Sequence, residues 1–195
     1  MKINKTLIAI IAVVVIVAIW ATSAYNGMVG EQEEATTALA NVQSAYQRRA
    51  DLIPNLVETV KGYASHEKET LEGVVEARSK ATSINIDAEN MTPEKMKEFQ
   101  AAQGELSTAL GRLIAIGEAY PDLKANENFR DLQVQLEGTE NRINEARNKY
   151  NIAVQNYNVT IRRFPKSLFA GLFGFDKMTK FEAEAGAEKA PQVKF

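Results

Sequence analysis

Residues 48–71 read RRADLIPNLVETVKGYASHEKETL, and this stretch decides the fold. Apolar residues recur in it at alternating steps of three and four, at Ile53, Leu56 and Val60. That spacing places them on one face of a helix that packs against partners. The same phase continues on both sides of the stretch, so it predicts a long amphipathic helical segment.

Pro54 interrupts this helical pattern. Proline has no N–H, so it must either open a helix or kink one. Asp51 precedes it by three residues and could cap such an opening, with Pro54 tolerated in the first turn. The chain from Glu31 to Ala81 is therefore either one kinked rod or two helices that meet near Asp51–Pro54.

Two further helices are predicted downstream, after a loop at Thr82–Thr92 without an apolar stripe. Thr92-Pro93-Glu94 is typical of a cap, a first helical position and an early acidic residue. Pro121 ends the first of these helices and Asp122 can cap the next, which closes at Phe164-Pro165. Both helices keep a three–four alternation, a period that indicates coiled-coil-like packing of long helices. The stripes are Met96, Phe99, Gln103, Leu106, Leu110, Leu113, Gly117 and Tyr120, then Phe129, Leu132, Leu136, Thr139, Ile143, Ala146, Tyr150, Ala153 and Tyr157.

The uncharged run Leu7–Ala24 predicts a transmembrane anchor. At about 1.5 Å per residue it spans roughly 27 Å, close to the hydrocarbon thickness of a bilayer. Trp20 and Tyr25 lie near its downstream end, where aromatic rings favour the membrane interface. A cleaved signal peptide is the alternative, but the apolar run is long for one and Thr22-Ser23-Ala24 is a weak cleavage site.

The charges beside the anchor predict its orientation. Lys2 and Lys5 precede the span, and Glu31, Glu33 and Glu34 are the first charges after it. The positive-inside rule then places the N-terminus in the cytoplasm and the rest of the chain outside it.

Composition excludes several classes of function. The net charge is −2, from 23 basic and 25 acidic residues, which gives no electrostatic case for nucleic acid. Cysteine is absent, so no thiol nucleophile or cysteine-based metal site is possible. The only histidine, His66, lacks the second ligand of an HExxH motif. We therefore expect no cofactor, no metal site and no enzymatic activity.

A few side chains remain candidates for interaction. Arg48 and Arg49 either pair with acidic residues at an end of the bundle or dock an acidic partner or lipid headgroups. His66 is either a structural residue or a pH switch. Tyr150-Asn151 and Tyr157-Asn158 repeat one heptad apart. They predict either core tyrosines with bridging asparagines or a polar recognition stripe.

The C-terminal part carries a second apolar stripe, formed by Leu168, Phe169, Leu172 and Phe173. It predicts either a short helix folded back onto the bundle base or a contact with membrane or another copy. Residues 182–195 are rich in Ala and Glu, and we expect a mobile tail there.

The quoted stretch closely resembles the signature of the LemA family, single-span bacterial membrane proteins with an antiparallel helical bundle. EAYPDLKANENF at 118–129, TENRINEARNKYNIAVQNYN at 139–158, FP at 164–165 and LFGF at 172–175 resemble three further hallmarks. Ser167 stands where family members usually carry Asn. The resemblance implies a fold and a location but no defined activity. LemA-like proteins are often associated with membrane metallopeptidases, and some accompany magnetosome membranes.

The predicted protein is therefore all-α, with an N-terminal transmembrane helix followed by an antiparallel four-helix bundle, in which Phe164 returns to the membrane. Its expected partners are the lipid bilayer, other copies of itself and another membrane protein. We expect a non-enzymatic, self-assembling scaffold in a bacterial membrane. The alternative is an adaptor that docks a membrane protein through the Arg48–Leu71 surface, which includes Arg49, Asn55 and Tyr63. The expected segments are a basic N-terminus at 1–6, an anchor at 7–25, a bundle at 26–165, an apolar segment at 166–181 and the tail at 182–195.

Overall fold

The computed structural model describes residues 5–88 and 91–182, and this part of the chain consists of helices and their connections. The all-α prediction is confirmed. We number the helices in chain order: α1 Lys5–Tyr63, α2 Lys68–Ser83, α3 Pro93–Ala119, α4 Pro121–Ala125, α5 Glu127–Arg162 and α6 Lys166–Phe173.

Helix α1 runs without a break from the apolar run through the quoted stretch. Neither alternative for Glu31–Ala81 holds in full: the helix continues past Asp51–Pro54, and the chain reverses at residues 64–67 before α2 begins. A proline leaves the carbonyl four residues earlier without its helical donor. Here that carbonyl belongs to buried Ala50, and Arg78 Nε of α2 donates to it at 2.8 Å. The neighbouring helix therefore supplies the hydrogen bond that the proline removes.

The predicted four-helix topology is present, because α1, α2, α3 and α5 run alternately away from and towards the apolar end. At the far end, Tyr120 Oη donates to Glu67 Oε1 at 3.0 Å and Asn126 Nδ2 donates to Tyr63 Oη at 2.9 Å. At the near end, α6 packs beside Tyr25. The long helices α1 and α5 therefore lie antiparallel, with α2 and α3 completing the bundle.

Two predicted helix starts have different outcomes. The Thr92 side chain accepts from Lys95 N, and Pro93 is the first residue of α3, as predicted. Asp122 does not cap the last long helix; it lies in the first turn of the short α4. Asn126 caps α5 instead by accepting from Phe129 N at 2.9 Å. The extra turn α4 shifts the cap by four residues, which the apolar spacing does not reveal.

The core is divided along the bundle axis by a buried layer of polar residues. Arg49, Gln103 and Thr139 lie between a distal and a proximal apolar cluster and are almost fully buried. A third cluster, built around Met28, Tyr157 and Ile161, lies at the base. Each of the three polar residues occupies a stripe position of its own helix, so they meet at one level of the bundle.

One glycine permits a close approach between helices. A Cβ atom at Gly117 of α3 would lie 2.8 Å from the Phe129 ring of α5. Phe129 is buried in the distal cluster, so only glycine leaves room for it. Gly111 and Gly138, which also lie in helical patterns, have open space at that position.

The N-terminal part of α1 is long and apolar enough to cross a membrane. Its most apolar window has a mean hydropathy of 2.8, and only 6% of it is buried against the protein. A soluble core helix of this composition would be covered by neighbours. This segment is the candidate membrane span among the described residues.

Candidate functional site

The candidates on the quoted stretch separate into exposed and buried residues. Asn55, Tyr63 and His66 are exposed at or near the distal end of the bundle, and Arg48 is exposed on α1. Tyr63 also accepts the hydrogen bond from Asn126 described above. Arg49, by contrast, is only 1% exposed, so it is not available as a docking point on the free surface. Arg49 pairs with an acidic residue, Glu140, as one of the two alternatives for the arginines expected, but the pair lies between the two apolar clusters and not at an end of the bundle.

Arg49 holds together three helices in the polar layer. Its Nη1 atom donates to Glu140 Oε1 at 2.6 Å and to Ser107 Oγ at 2.9 Å. Its Nη2 atom donates to Gln103 Oε1 at 2.5 Å, and the guanidinium lies 5.2 Å from the centre of the Tyr46 ring. Gln103 Nε2 in turn donates to Ala81 O of α2 at 3.1 Å. One side chain thus links α1, α3 and α5, with α2 reached through Gln103.

A groove between α3 and α5 opens onto this layer. It encloses about 380 Å³ and has Tyr46 and Arg49 of α1 among its lining residues, with Gln103, Ser107 and Glu140 on its walls. These polar groups are directed at Arg49, so the arrangement neutralises the buried charge. Both terminal nitrogens of the Arg49 guanidinium donate hydrogen bonds to these groups, whereas its Nε atom has no hydrogen-bond partner within the described residues. Arg49 is thus a buried cation paired with a half-buried carboxylate, an arrangement that fixes helix register.

The base of the bundle is an aromatic cluster formed by α1 and the C-terminal segment. The Trp20 ring lies 5.2 Å from that of Phe169, and the Tyr25 ring lies 5.2 Å from Phe173 and 5.5 Å from Phe175. These edge-to-face distances are typical of stabilising aromatic pairs. The two residues predicted for the membrane interface therefore receive α6, which folds back onto the base of the bundle.

The other face of α6 remains uncovered. Leu168 and Leu172 are 65% and 76% exposed, and Phe164 just before the helix is 80% exposed. Phe169 and Phe173 belong to the aromatic cluster, so the predicted stripe is shared between two faces. The fold-back and the outward contact were alternatives in the sequence. In the structure Phe169 and Phe173 make the first contact, and the adjacent face with Leu168 and Leu172 is exposed for the second.

The Tyr-Asn repeat of α5 binds the chain's own C-terminal segment. We call residues 176–182 the strap and the side chains that hold its backbone the cradle. Tyr157 and Tyr150 donate from their hydroxyls to Asp176 O and Thr179 O, both at 2.8 Å. The remaining cradle residues are Asn151, Asn158, Gln100 and Arg147, whose Nη2 atom donates to Glu182 O at 3.0 Å. The expectation of core tyrosines is met, since both rings are buried, but the asparagines hold the strap rather than another helix.

Each cradle amide pairs with both backbone groups of one strap residue. Asn158 accepts from Met178 N at 3.0 Å and donates to Met178 O at 2.9 Å. Asn151 makes the same pair with Phe181, at 2.8 and 3.0 Å. Gln100 of α3 repeats it with Glu182, at 3.3 and 2.9 Å. Such paired bonds to backbone resemble those with which a sheet edge receives an extended peptide.

The register of these pairs follows from two repeat lengths. One heptad of helix rises about 10.5 Å, and three residues of extended chain cover about 10 Å. Asn158 and Asn151 are one heptad apart, and their partners Met178 and Phe181 are three residues apart in the opposite chain direction. The strap therefore runs antiparallel to α5, and its backbone matches the spacing of the asparagines.

Phe181 gives the strap its main apolar contact. Its side chain is 5% exposed and lies 5.4 Å from the Tyr150 ring, with the Arg147 guanidinium 5.2 Å from its own ring centre. Burying such a ring stabilises by about 2 kcal/mol, and each hydrogen bond contributes about 1 kcal/mol. Together these terms roughly offset the ordering of the strap at about 1–2 kcal/mol per residue. The strap is thus held with a small net free energy.

Burial raises the pKa of both tyrosine hydroxyls of the cradle. Burial raises the pKa of Tyr150 to about 12. The pKa of Tyr157 is also raised, first by burial and then by the charge of Asp176. Both hydroxyls therefore remain protonated donors to strap carbonyls throughout the neutral range.

Some of this site was visible in the sequence and some was not. The Tyr-Asn repeat of α5 is apparent in the sequence, but nothing in it identifies residues 176–182 as the segment that it binds. Residues 183–195, most of the expected mobile tail, lie outside the described part of the chain, whereas Glu182 is bound by Gln100. The polar layer could be predicted from the sequence, because Arg49 occupies the stripe position between Tyr46 and Ile53. Gln103 and Thr139 likewise occupy stripe positions of their own helices.

The sequence was compared with known proteins. A family model described as the LemA family matches residues 38–195. The chain is 30% identical to magnetosome protein MamQ of Magnetospirillum gryphiswaldense, over 87% of this chain and 70% of that protein. It is 26% identical to MamQ 2 of Paramagnetospirillum magneticum, over 92% and 73%. It is 28% identical to protein LemA of Metamycoplasma hominis over 60% of this chain, a match that spans only half of that protein.

Proposed function

The chain belongs to the LemA family, and from that premise we propose that it is a non-enzymatic, membrane-anchored scaffold that assembles with copies of itself. The observation that carries the proposal is the outward face of α6. Phe164, Leu168 and Leu172 form an apolar surface at the level where α1 enters its apolar run. An exposed apolar surface of this kind marks a contact with a membrane or a partner.

The base of the bundle supplies the geometry of a scaffold. The span is continuous with α1, and α6 is fixed to it by the aromatic cluster. Helices α1 and α6 therefore both contact the membrane, side by side. Two contacts hold the bundle upright, whereas a single flexible linker would not. Copies anchored in this way present the same faces to one another at the same height.

An extracytoplasmic bundle and a non-enzymatic role are the remaining parts of the proposal. Lys2 and Lys5 precede the span and Glu31, Glu33 and Glu34 follow it, which favours a cytoplasmic N-terminus and an extracytoplasmic bundle. Gln103, Ser107 and Glu140 on the walls of the α3–α5 groove are engaged with Arg49, which supports a structural role for these three residues. The relatives named magnetosome proteins support a role at membranes in general.

Light scattering on the full-length protein in mild detergent, with the detergent mass subtracted, tests the proposal. We expect a defined homo-oligomer, and we expect the Leu168→Ser/Leu172→Ser variant to shift towards the monomer mass with unchanged helicity. Val134→Ser is the matched control, because Val134 is 68% exposed on α5 and lies away from α6. A monomeric wild-type protein would contradict self-assembly.

A second candidate function is an adaptor for another membrane protein. It is favoured by the exposure of Asn55, Tyr63 and His66 at the distal end of the bundle, whereas Arg49 is too buried to contribute. Crosslinking in native membranes discriminates between the two functions. A heterologous partner captured through position 55 or 66 of a monomeric protein would favour the adaptor.

A further inference from the structure

We propose that the strap of one copy docks in the cradle of a second copy, so that neighbouring copies in a membrane exchange residues 176–182. This inference rests on the self-assembly proposed above and names its contact. The ligand of the cradle is an extended peptide, and the occupant is the same segment from another molecule of this chain. Exchange of an identical element is a low-cost route to association.

The contacts themselves do not distinguish one copy from another. Asn151, Asn158 and Gln100 bind backbone N–H and C=O groups of the strap. Phe181 enters a buried apolar site between Tyr150 and Phe99, and Met178 packs against the proximal and basal apolar clusters. A strap from a second copy offers the same backbone groups and the same phenylalanine. Every bond of the closed molecule can therefore be made again in the exchanged pair.

The connection to the strap contains a hinge. Helix α6 ends at Gly174, which has a φ of 73°, and nothing lies within 4 Å of where its Cβ would be. Glycine changes between positive and negative φ at little cost. The link between α6 and the strap consists of Gly174 and Phe175. Rotation at Gly174 redirects the strap while Phe169 and Phe173 stay on their own span, and it releases Phe175 from the Tyr25 ring and from Ala170 O.

Anchoring in a bilayer favours exchange further. The base of each copy is set at the membrane by α1 and α6, so the straps and cradles of all copies lie at the same height. Confinement of this kind raises the effective concentration of one strap at a neighbouring cradle. Two copies that meet side by side near Gly174 can then trade straps without lifting either bundle from the membrane.

Cysteine crosslinking between two marked copies tests the exchange, since the natural chain has no cysteine. One full-length copy carries Gln155→Cys and the other Lys180→Cys, with different tags, and both are made in the same membrane. These side chains are in contact in the structure, with Lys180 Nζ 3.1 Å from Gln155 Oε1. A short bismaleimide should then join the two tagged chains several-fold more efficiently than the control pair below.

The control pair is Lys80→Cys in one copy and Glu105→Cys in the other. Lys80 and Glu105 form an exposed ion pair at 2.6 Å between α2 and α3, so the pair reports random collision of copies. Asn151→Ala/Asn158→Ala in the copy that carries Gln155→Cys should abolish the crosslink between chains. Asn156→Ala, an exposed asparagine of the same helix, should leave it unchanged.

The outcomes separate this inference from the proposed function. If a chain with both Gln155→Cys and Lys180→Cys crosslinks only within itself, and light scattering still shows an oligomer, exchange is wrong and self-assembly stands. A monomeric mass by light scattering would contradict both the strap exchange and the proposed self-assembly. Crosslinks between chains that depend on Asn151 and Asn158 support the exchange.

Discussion

At the scale of single residues, the polar layer is the most specific feature of the core. Three stripe positions that usually hold apolar side chains are filled by Arg49, Gln103 and Thr139, all almost fully buried. A buried polar group is satisfied only in the helix–helix register that places its hydrogen-bond partners beside it. The layer therefore fixes how α1, α3 and α5 align, at a cost in stability that an apolar layer would not have.

Glu140→Gln tests the layer. The change removes the charge opposite Arg49 while keeping a hydrogen-bond acceptor, and we expect it to lower the free energy of unfolding by about 1–3 kcal/mol. Glu137→Gln is the control, because Glu137 is exposed on the same helix and lines the same groove. Urea unfolding of the full-length protein in detergent measures both. Equal effects of the two variants would show that Arg49 does not depend on Glu140.

The cradle tyrosines predict an alkaline limit to stability. The pKa of Tyr150 is raised to about 12 in the folded protein, whereas an unfolded tyrosine titrates near 10. The folded state therefore holds the proton more tightly, so its stabilising contribution is complete below about pH 10 and is lost between about pH 10 and 12. Tyr150→Phe should reduce that alkaline loss, and at neutral pH it should cost about 1 kcal/mol for the bond to Thr179. Unfolding at several pH values measures both effects, and an unchanged alkaline slope would exclude Tyr150 as its source.

At the scale of elements, Pro54 shows how one helix depends on another. A proline inside a helix costs about 3 kcal/mol or more in isolation, yet α1 continues past it. The carbonyl of Ala50 is buried, and Arg78 of α2 supplies the donor that Pro54 lacks. The residue that suggested a break in the sequence thus marks the docking site of the returning helix.

A double-mutant cycle measures this dependence. Arg78→Met should destabilise the natural chain by about 1–3 kcal/mol, because the Ala50 carbonyl is left without a donor. In a Pro54→Ala background the helix supplies its own N–H, so the same change should cost about 1 kcal/mol less. Thermal or urea unfolding of the four proteins gives the coupling. Additive effects would mean that Arg78 does not compensate for the proline.

At the scale of the whole molecule, stability decreases from the layered bundle to the strap. The bundle has three apolar clusters and a polar layer, whereas the strap is held by side chains that bind its backbone and by Phe181. Segments with few buried apolar contacts open first. The part of the molecule that opens most readily is therefore the part that we propose to exchange between copies.

Hydrogen exchange checks this order of opening. The amides of Met178 and Phe181 should exchange faster than those of the α5 core, because opening the strap leaves the bundle intact. Asn151→Ala/Asn158→Ala removes four hydrogen bonds to the strap, so it should accelerate both amides by more than about 30-fold. Asn156→Ala should leave them unchanged. Strap and core amides that exchange at one common rate would show that the strap is part of the global folding unit.

The sequence by itself determined the fold class, the apolar span and the helical stripes. Apolar periodicity and length are local properties, and α1, α3 and α5 follow them closely. The family signature was also readable, and the comparisons confirm it. Local signals placed the cap at Thr92 correctly but not the reversal, because a proline ends a helix only when no neighbour satisfies the carbonyl that it leaves free.

Only the tertiary structure decided the burial of Arg49, the two faces of α6 and the ligand of the Tyr-Asn repeat. Each depends on residues far apart in the chain: Arg49 meets Glu140, Trp20 meets Phe169, and Asn158 meets Met178. A charged or amide side chain looks the same in a sequence whether its partner is water or protein. The partner depends on how the helices pack. Packing buries Arg49, which the sequence suggested as a surface residue, and it places the Tyr-Asn repeat of α5 against the strap.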